Sequence, residues 1–116
     1  MPAAGARPVD LAHLSTYTGG DAALNAEVLQ LFVDQAAKLM VQLKSALDTG
    51  DQKNWYATAH SLKGAARGIG AFAMADAAAE VETVPAASAQ QALKALHALS
   101  NRAHAVQLFI EAYLDR

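Results

Sequence analysis

Cysteine is absent from the chain, which excludes disulfides, thiolate nucleophiles and cysteine-held zinc or iron-sulfur centres and fits a reducing compartment. Proline occurs at positions 2, 8 and 85 only, so nothing between Pro8 and Pro85 has to break a helix. Aromatic residues make up 6%, and period-two runs of β-branched and aromatic residues are missing, so strands are not expected. No run of eighteen apolar residues exists to span a membrane, and the opening MPAAGARPVD lacks the apolar segment of a signal peptide. Positive charge is not in surplus either. Nine Lys plus Arg stand against eleven Asp plus Glu, a net charge of -2, without the basic field that carries nucleic-acid affinity. The expectation is a soluble protein of the cytoplasm that partners neither nucleic acid nor membrane.

What the chain has in quantity is alanine, about a quarter of its 116 residues, with leucine, glutamine and lysine recurring at spacings of three and four. These are the strongest helix formers. The length suits one domain, expected over residues 8–116 after a flexible stretch 1–7. Pro8-Val9-Asp10 opens a short helix carrying Leu11, Leu14 and Tyr17, and Gly19-Gly20 ends it. Asp21 or Asn25 caps a second helix running to about Thr49, with Val28, Leu29, Phe32, Ala36, Leu39, Leu43 and Leu47 as its apolar stripe. Gly50 suits a left-handed cap and Asp51 the next N-cap, so a third helix starts near Gln52 and reaches about Ile69. A fourth spans Ala71 to about Val84. Ser88-Ala89-Gln90-Gln91 matches a capping box for a last helix to about Leu114, with Ala92, Leu96, Leu99, Ala103, Val106, Ile110 and Tyr113 at near-heptad spacing. The expected fold is all-α: an antiparallel up-down-up-down four-helix bundle with a short additional N-terminal helix.

Within this alanine-rich chain, AHSLKGAARGIGA, residues 59–71, contains three glycines close after a histidine, although glycine inside a helix costs about 1 kcal/mol relative to alanine. At 100° per residue, Trp55, Thr58, Ala59, Leu62, Ala65, Ala66 and Ile69 share the core stripe. Lys53, Tyr56, His60, Lys63, Gly64 and Arg67 fall on the opposite face. Helical side chains lean over the preceding turn, so any side chain at position 64 would cover the His60 ring. Lys63 and Arg67 set two cations around it. An exposed imidazole with a cleared approach and a cationic rim suits a phosphoryl group. The plainer alternative, a surface histidine beside a tolerated glycine, stays open on the wheel alone. Gly68 and Gly70 fall near the helix end, where glycine is a common terminator.

The stretch resembles the signature of histidine-containing phosphotransfer (HPt) domains, roughly A-H-x-L-K-G-x-x-x-x-[LIV]-G-A, matched by Ala59, His60, Leu62, Lys63, Gly64, Ile69, Gly70 and Ala71. The likeness extends over about residues 8–114 and is weak after 85. It implies a phosphorelay intermediate: His60, through Nε2, takes a phosphoryl group from the aspartate of one response-regulator receiver domain and passes it to another. Lys63 is then a phosphate or orientation partner and Gly64 the residue that permits approach. The resemblance implies no cofactor of the protein's own, the receiver supplying Mg²⁺. Receiver domains, and a hybrid histidine kinase, are the implied partners of a monomer, with Lys53, Tyr56, Arg67 and Glu82 on the docking side. Glu82, twenty-two positions after His60, stands where the family often has a glutamine bonded to the imidazole or phosphate. Glutamate there suits orienting a neutral ring and would repel a phosphate. Arg67 stands where the family is variable, which points to partner specificity.

Two other readings bear on the same residues. A histidine kinase dimerisation domain usually has an acidic residue directly after its histidine and a proline shortly beyond, whereas Ser61 follows His60 here and no glycine-rich nucleotide site is present. Autokinase activity is therefore not expected, and the protein reads as a phosphocarrier rather than an enzyme. The alternative is a helical adaptor that binds a signalling partner through the same face without carrying phosphate. No metal site is expected, since His97 and His104 lie seven apart with no carboxylate three or four positions from either, and two histidines seldom suffice. His13 reads as a boundary residue, and Met40 and Met74 as core filling.

Overall fold

The computed structural model describes residues 7–115; of the stretch expected to be flexible, residues 1–6 lie outside that range, as does Arg116. Five helices follow one another, α1 (Leu11–Thr18), α2 (Ala22–Thr49), α3 (Gln52–Gly68), α4 (Phe72–Thr83) and α5 (Ala89–Leu114), and no strand occurs among the described residues. None of these helices is long and apolar enough to cross a membrane.

Local chemistry sets most of the boundaries. Asp10, Asp21 and Asp51 are the N-caps of α1, α2 and α3, each side chain accepting the backbone N–H three residues on, from His13, Leu24 and Asn54. Of the two candidates for the cap of α2, Asp21 takes the role. Asn25 is instead buried and accepts a hydrogen bond from the Thr18 hydroxyl, joining α1 to α2. Gly19 and Gly50 close α1 and α2 in the left-handed conformation, at φ 67° and 68°. The expected capping box at Ser88 does not form: its side chain makes no cap hydrogen bond. The reason is the turn before it. The Ser88 N–H is donated to Pro85 O at 3.0 Å, so the amide that Gln91 would have capped is already satisfied.

The long helices pack in the cyclic order α2, α3, α4, α5, with α5 returning to α2. Leu29, Phe32 and Leu43 of α2, Trp55, Leu62 and Ala66 of α3, Met74, Ala78 and Val81 of α4, and Leu99, Val106 and Ile110 of α5 form one apolar core. The predicted stripes of α2, α3 and α5 all contribute to it or pack on its edge, Thr58 being buried as their polar member. At one end, the Trp55 indole N–H donates to Val84 O at 2.8 Å and the Ala86 N–H donates to Gln52 Oε1 at 2.7 Å. The start of α3 is thus tied to the end of α4. At the other end, the Asp10 N–H donates to Gly70 O at 3.0 Å, docking the entrance of α1 on the α3–α4 turn. The first of these ties fixes α3 against α4, and that pairing builds the site.

Candidate functional site

His60 lies in the middle of α3 on the side away from Trp55, Ala59 and Leu62, which are fully buried, and its imidazole is 61% exposed. Tyr56, one turn earlier, stacks nearly parallel on the ring with centroids 6.0 Å apart. On the other side, a residue started at Gly64 with a Cβ would meet no atom within 4 Å, so the approach is open and a longer side chain has nothing to hold it away from the ring.

Glu82 of α4 reaches the histidine from behind. Its Oε1 lies 3.2 Å from His60 Nδ1, and Lys63 Nζ sits 2.9 Å from Oε1 and 3.0 Å from Oε2. The carboxylate is mostly covered, with 11% of the side chain exposed. Burial by itself pushes the Glu82 carboxyl up, but the hydrogen bond and charge of Lys63, and then those of His60, outweigh it and hold the group below its ordinary value. An ionised carboxylate has only acceptors. The His60 nitrogen facing it therefore carries the proton, and the lone pair of the neutral ring resides on Nε2.

Lys63 differs from the expectation of an open cation on the exposed face. Its side chain is 18% exposed and paired with both oxygens of Glu82. The angular position on the wheel, flanking the core stripe, lets the long stem lie along the α3–α4 seam while the ammonium meets the carboxylate. Arg67 and Lys53 are exposed and make no ion pair among the described residues. The cationic surface around His60 is thus Arg67 and Lys53, with Lys63 committed to Glu82.

Gly70 and Gly68 turn out to differ. Gly70 has φ 80°, and a Cβ there would lie 2.6 Å from Asp10 O, so both conformation and the α1 contact require glycine. Gly68, the last residue of α3, has no positive φ and no neighbour within 4 Å; nothing local requires a glycine there. His97 and His104 are exposed on α5, and His13 lies edge-on between Tyr17 and Phe72. Met74 is buried in the core and Met40 packs on its edge.

No curated protein matches the chain. A crystal structure of histidine-containing phosphotransfer protein B (HptB) from Pseudomonas aeruginosa PAO1 shares the fold, with a TM-score of 0.86 over 96% of this chain and 97% of that one at 23% identity. The Hpt domain family model matches residues 27–113, three quarters of the sequence and the whole site from Lys53 to Glu82. The chain belongs to the Hpt domain family.

Proposed function

We propose that this protein is a phosphorelay carrier in which His60 receives a phosphoryl group from the aspartate of one response-regulator receiver domain and delivers it to the aspartate of another. The observation that carries the reading is the state of the His60 ring: held at Nδ1 by an ionised Glu82, exposed, and unobstructed at Gly64, in a chain of the Hpt family. In the accepting step the Nε2 lone pair attacks phosphorus, the bond from phosphorus to the acyl oxygen breaks, and its electron pair leaves on the receiver's aspartate. A neutral imidazole needs no separate base for this attack. Mg²⁺ and the groups that neutralise the transferring phosphoryl are supplied by the receiver. On this side Gly64 gives clearance, Tyr56 supports the ring, Lys63 fixes Glu82, and Lys53 and Arg67 face the docked partner.

Incubation with a phosphorylated receiver and Mg²⁺ tests the reading. One acid-labile, base-stable phosphate is expected on His60, and none on a His60→Gln variant that folds normally. ATP alone is expected to label neither protein. Binding of the receiver without any transfer to His60 would favour the adaptor reading instead.

A further inference from the structure

A helix face turned away from the core ordinarily collects charge, because water is all that meets it. The outer face of α5 does not. At 100° per residue, Gln90, Leu93, His97, His104, Leu108 and Glu111 fall within about 60° of one another, and their centre lies about 130° from the buried stripe of Ala92, Leu96, Leu99, Val106 and Ile110. All six are exposed, Leu93 by 61% and Leu108 by 52%. Glu111 is the only Lys, Arg, Asp or Glu among them. Exposed leucines on a face depleted of charge mark a surface that something covers.

The order of the residues points to what that is. Counted outward from the middle of the stripe, between Ser100 and Asn101, His97 and His104 stand at equal distances, then Leu93 and Leu108, then Gln90 and Glu111 at the ends. We propose that α5 pairs antiparallel with α5 of a second copy of this chain, about a two-fold axis passing between Ser100 and Asn101, giving a symmetric dimer in place of the monomer that the family resemblance implies. In an interface of this symmetry residue i meets j while j meets i. Leu93 therefore meets Leu108 of the second copy, His97 meets His104 and Gln90 meets Glu111, each twice. Every pairing is chemically satisfied: the leucines exclude water, a neutral imidazole has one donor and one acceptor to share with another, and the glutamine amide donates to the carboxylate. A parallel pairing would instead set Glu111 against Glu111, like charge against like.

The neighbouring surface extends the contact. Between α2 and α5 lies a cleft of about 330 Å³, walled by Phe32, Ala36 and Met40 on one side and by Ala103, His104 and Gln107 on the other. His104 belongs to both stripe and cleft, so a helix laid on α5 also lies against the mouth of the cleft. The stripe alone is about 32 Å long and about 10 Å wide, short of the roughly 800 Å² per partner of a standard interface, and the α2 flank brings it closer to that size. The dimer is therefore weak and reversible. It also leaves the candidate site free, since α5 packs against α2 and α4 and lies across the bundle from α3. The two His60 rings point outward on its far sides.

Sedimentation equilibrium from about 1 μM to about 1 mM tests the association, and the wild type is expected to pass from monomer to dimer within that range. Leu93→Glu and Leu108→Glu should each weaken it at least about tenfold, with helix content unchanged because both side chains are exposed. Cysteine, which the chain lacks, tests the register. Positions 97 and 104 are about 10.5 Å apart along one helix, too far for a disulfide, whereas facing residues of two packed helices come within its reach. The double variant His97→Cys/His104→Cys should therefore oxidise to a covalent dimer, and neither single variant should. A wild type still monomeric at about 1 mM would overturn the proposal. So would single variants that cross-link as fast as the double one, since random collision or a parallel pairing produces that result, and so would an association indifferent to Leu93→Glu and Leu108→Glu. None of these readouts involves phosphate, so they judge the dimer independently of the carrier reading.

Discussion

Three glycines of one motif answer to different requirements. Gly70 is held in a left-handed conformation with Asp10 O only 2.6 Å from where a Cβ would go, so Gly70→Ala should cost about 2 kcal/mol or more, from conformation and overlap together; urea denaturation would show it. Gly64 has space around it and an ordinary helical backbone. Gly64→Ala should therefore stabilise the protein by up to about 1 kcal/mol while slowing phosphotransfer, and Gly64→Gln should slow it far more. A native transfer rate in Gly64→Gln would refute the clearance argument. At Glu82, the folded-state carboxyl lies below its ordinary value because Lys63 and His60 outweigh the effect of burial. A depressed carboxyl contributes stability that is present above the unfolded-state value and is lost as pH falls through the folded one. The stability difference between wild type and Glu82→Gln should hold at neutral pH and shrink in the acid range, as paired denaturation curves at pH 7 and pH 3 would reveal.

At the scale of elements, the site depends on how α3 is set against α4. The Trp55–Val84 and Gln52–Ala86 hydrogen bonds hold the antiparallel pair at the end where Glu82 emerges. Trp55→Phe keeps most of the apolar volume but leaves the Val84 carbonyl without its donor, which should cost about 1–3 kcal/mol. Hydrogen exchange at the Ala86 amide should accelerate in Gln52→Ala, since that amide loses its acceptor; unchanged protection would show that the 84–88 turn is held by its backbone alone. These ties also explain what was legible beforehand. The aspartate caps and glycine stops of α1 to α3 are readable from sequence because each involves residues within one turn of one another. The Ser88 box misleads because the Pro85 carbonyl competes for the same amide. The Lys63–Glu82 pair spans two helices and nineteen positions, so it follows from the rotation of α4 against α3, which periodicity does not specify. His60, Gly64 and the core stripe are single-helix matters, and a wheel suffices to separate them.

For the whole molecule, the question is how a chain of net charge -2 would distinguish partners, in the proposed carrier role, with few cations near His60. Lys63 is paired with both oxygens of Glu82 behind the ring, and in the proposed carrier role that contact would be common to every docked receiver. Lys63→Ala should slow transfer with all of them to a similar degree. Arg67 is exposed, unpaired among the described residues and two turns beyond His60, where in the proposed carrier role it would face the surface of the partner rather than the phosphoryl group. Arg67→Ala should weaken some receivers more than others. The two defects should also differ in their response to salt. A solvent-exposed charge is screened as the Debye length shortens from about 10 Å at 0.1 M to about 3 Å at 1 M, so the Arg67 effect should fade at high ionic strength. The Lys63–Glu82 contact is largely covered and screened less, so its effect should persist. Transfer rates for both variants with at least two receivers, each at low and high salt, decide the matter: a selective, salt-sensitive Lys63 defect beside a uniform Arg67 defect would reverse the two roles, and no defect in either would leave the cations as a solvated helix face.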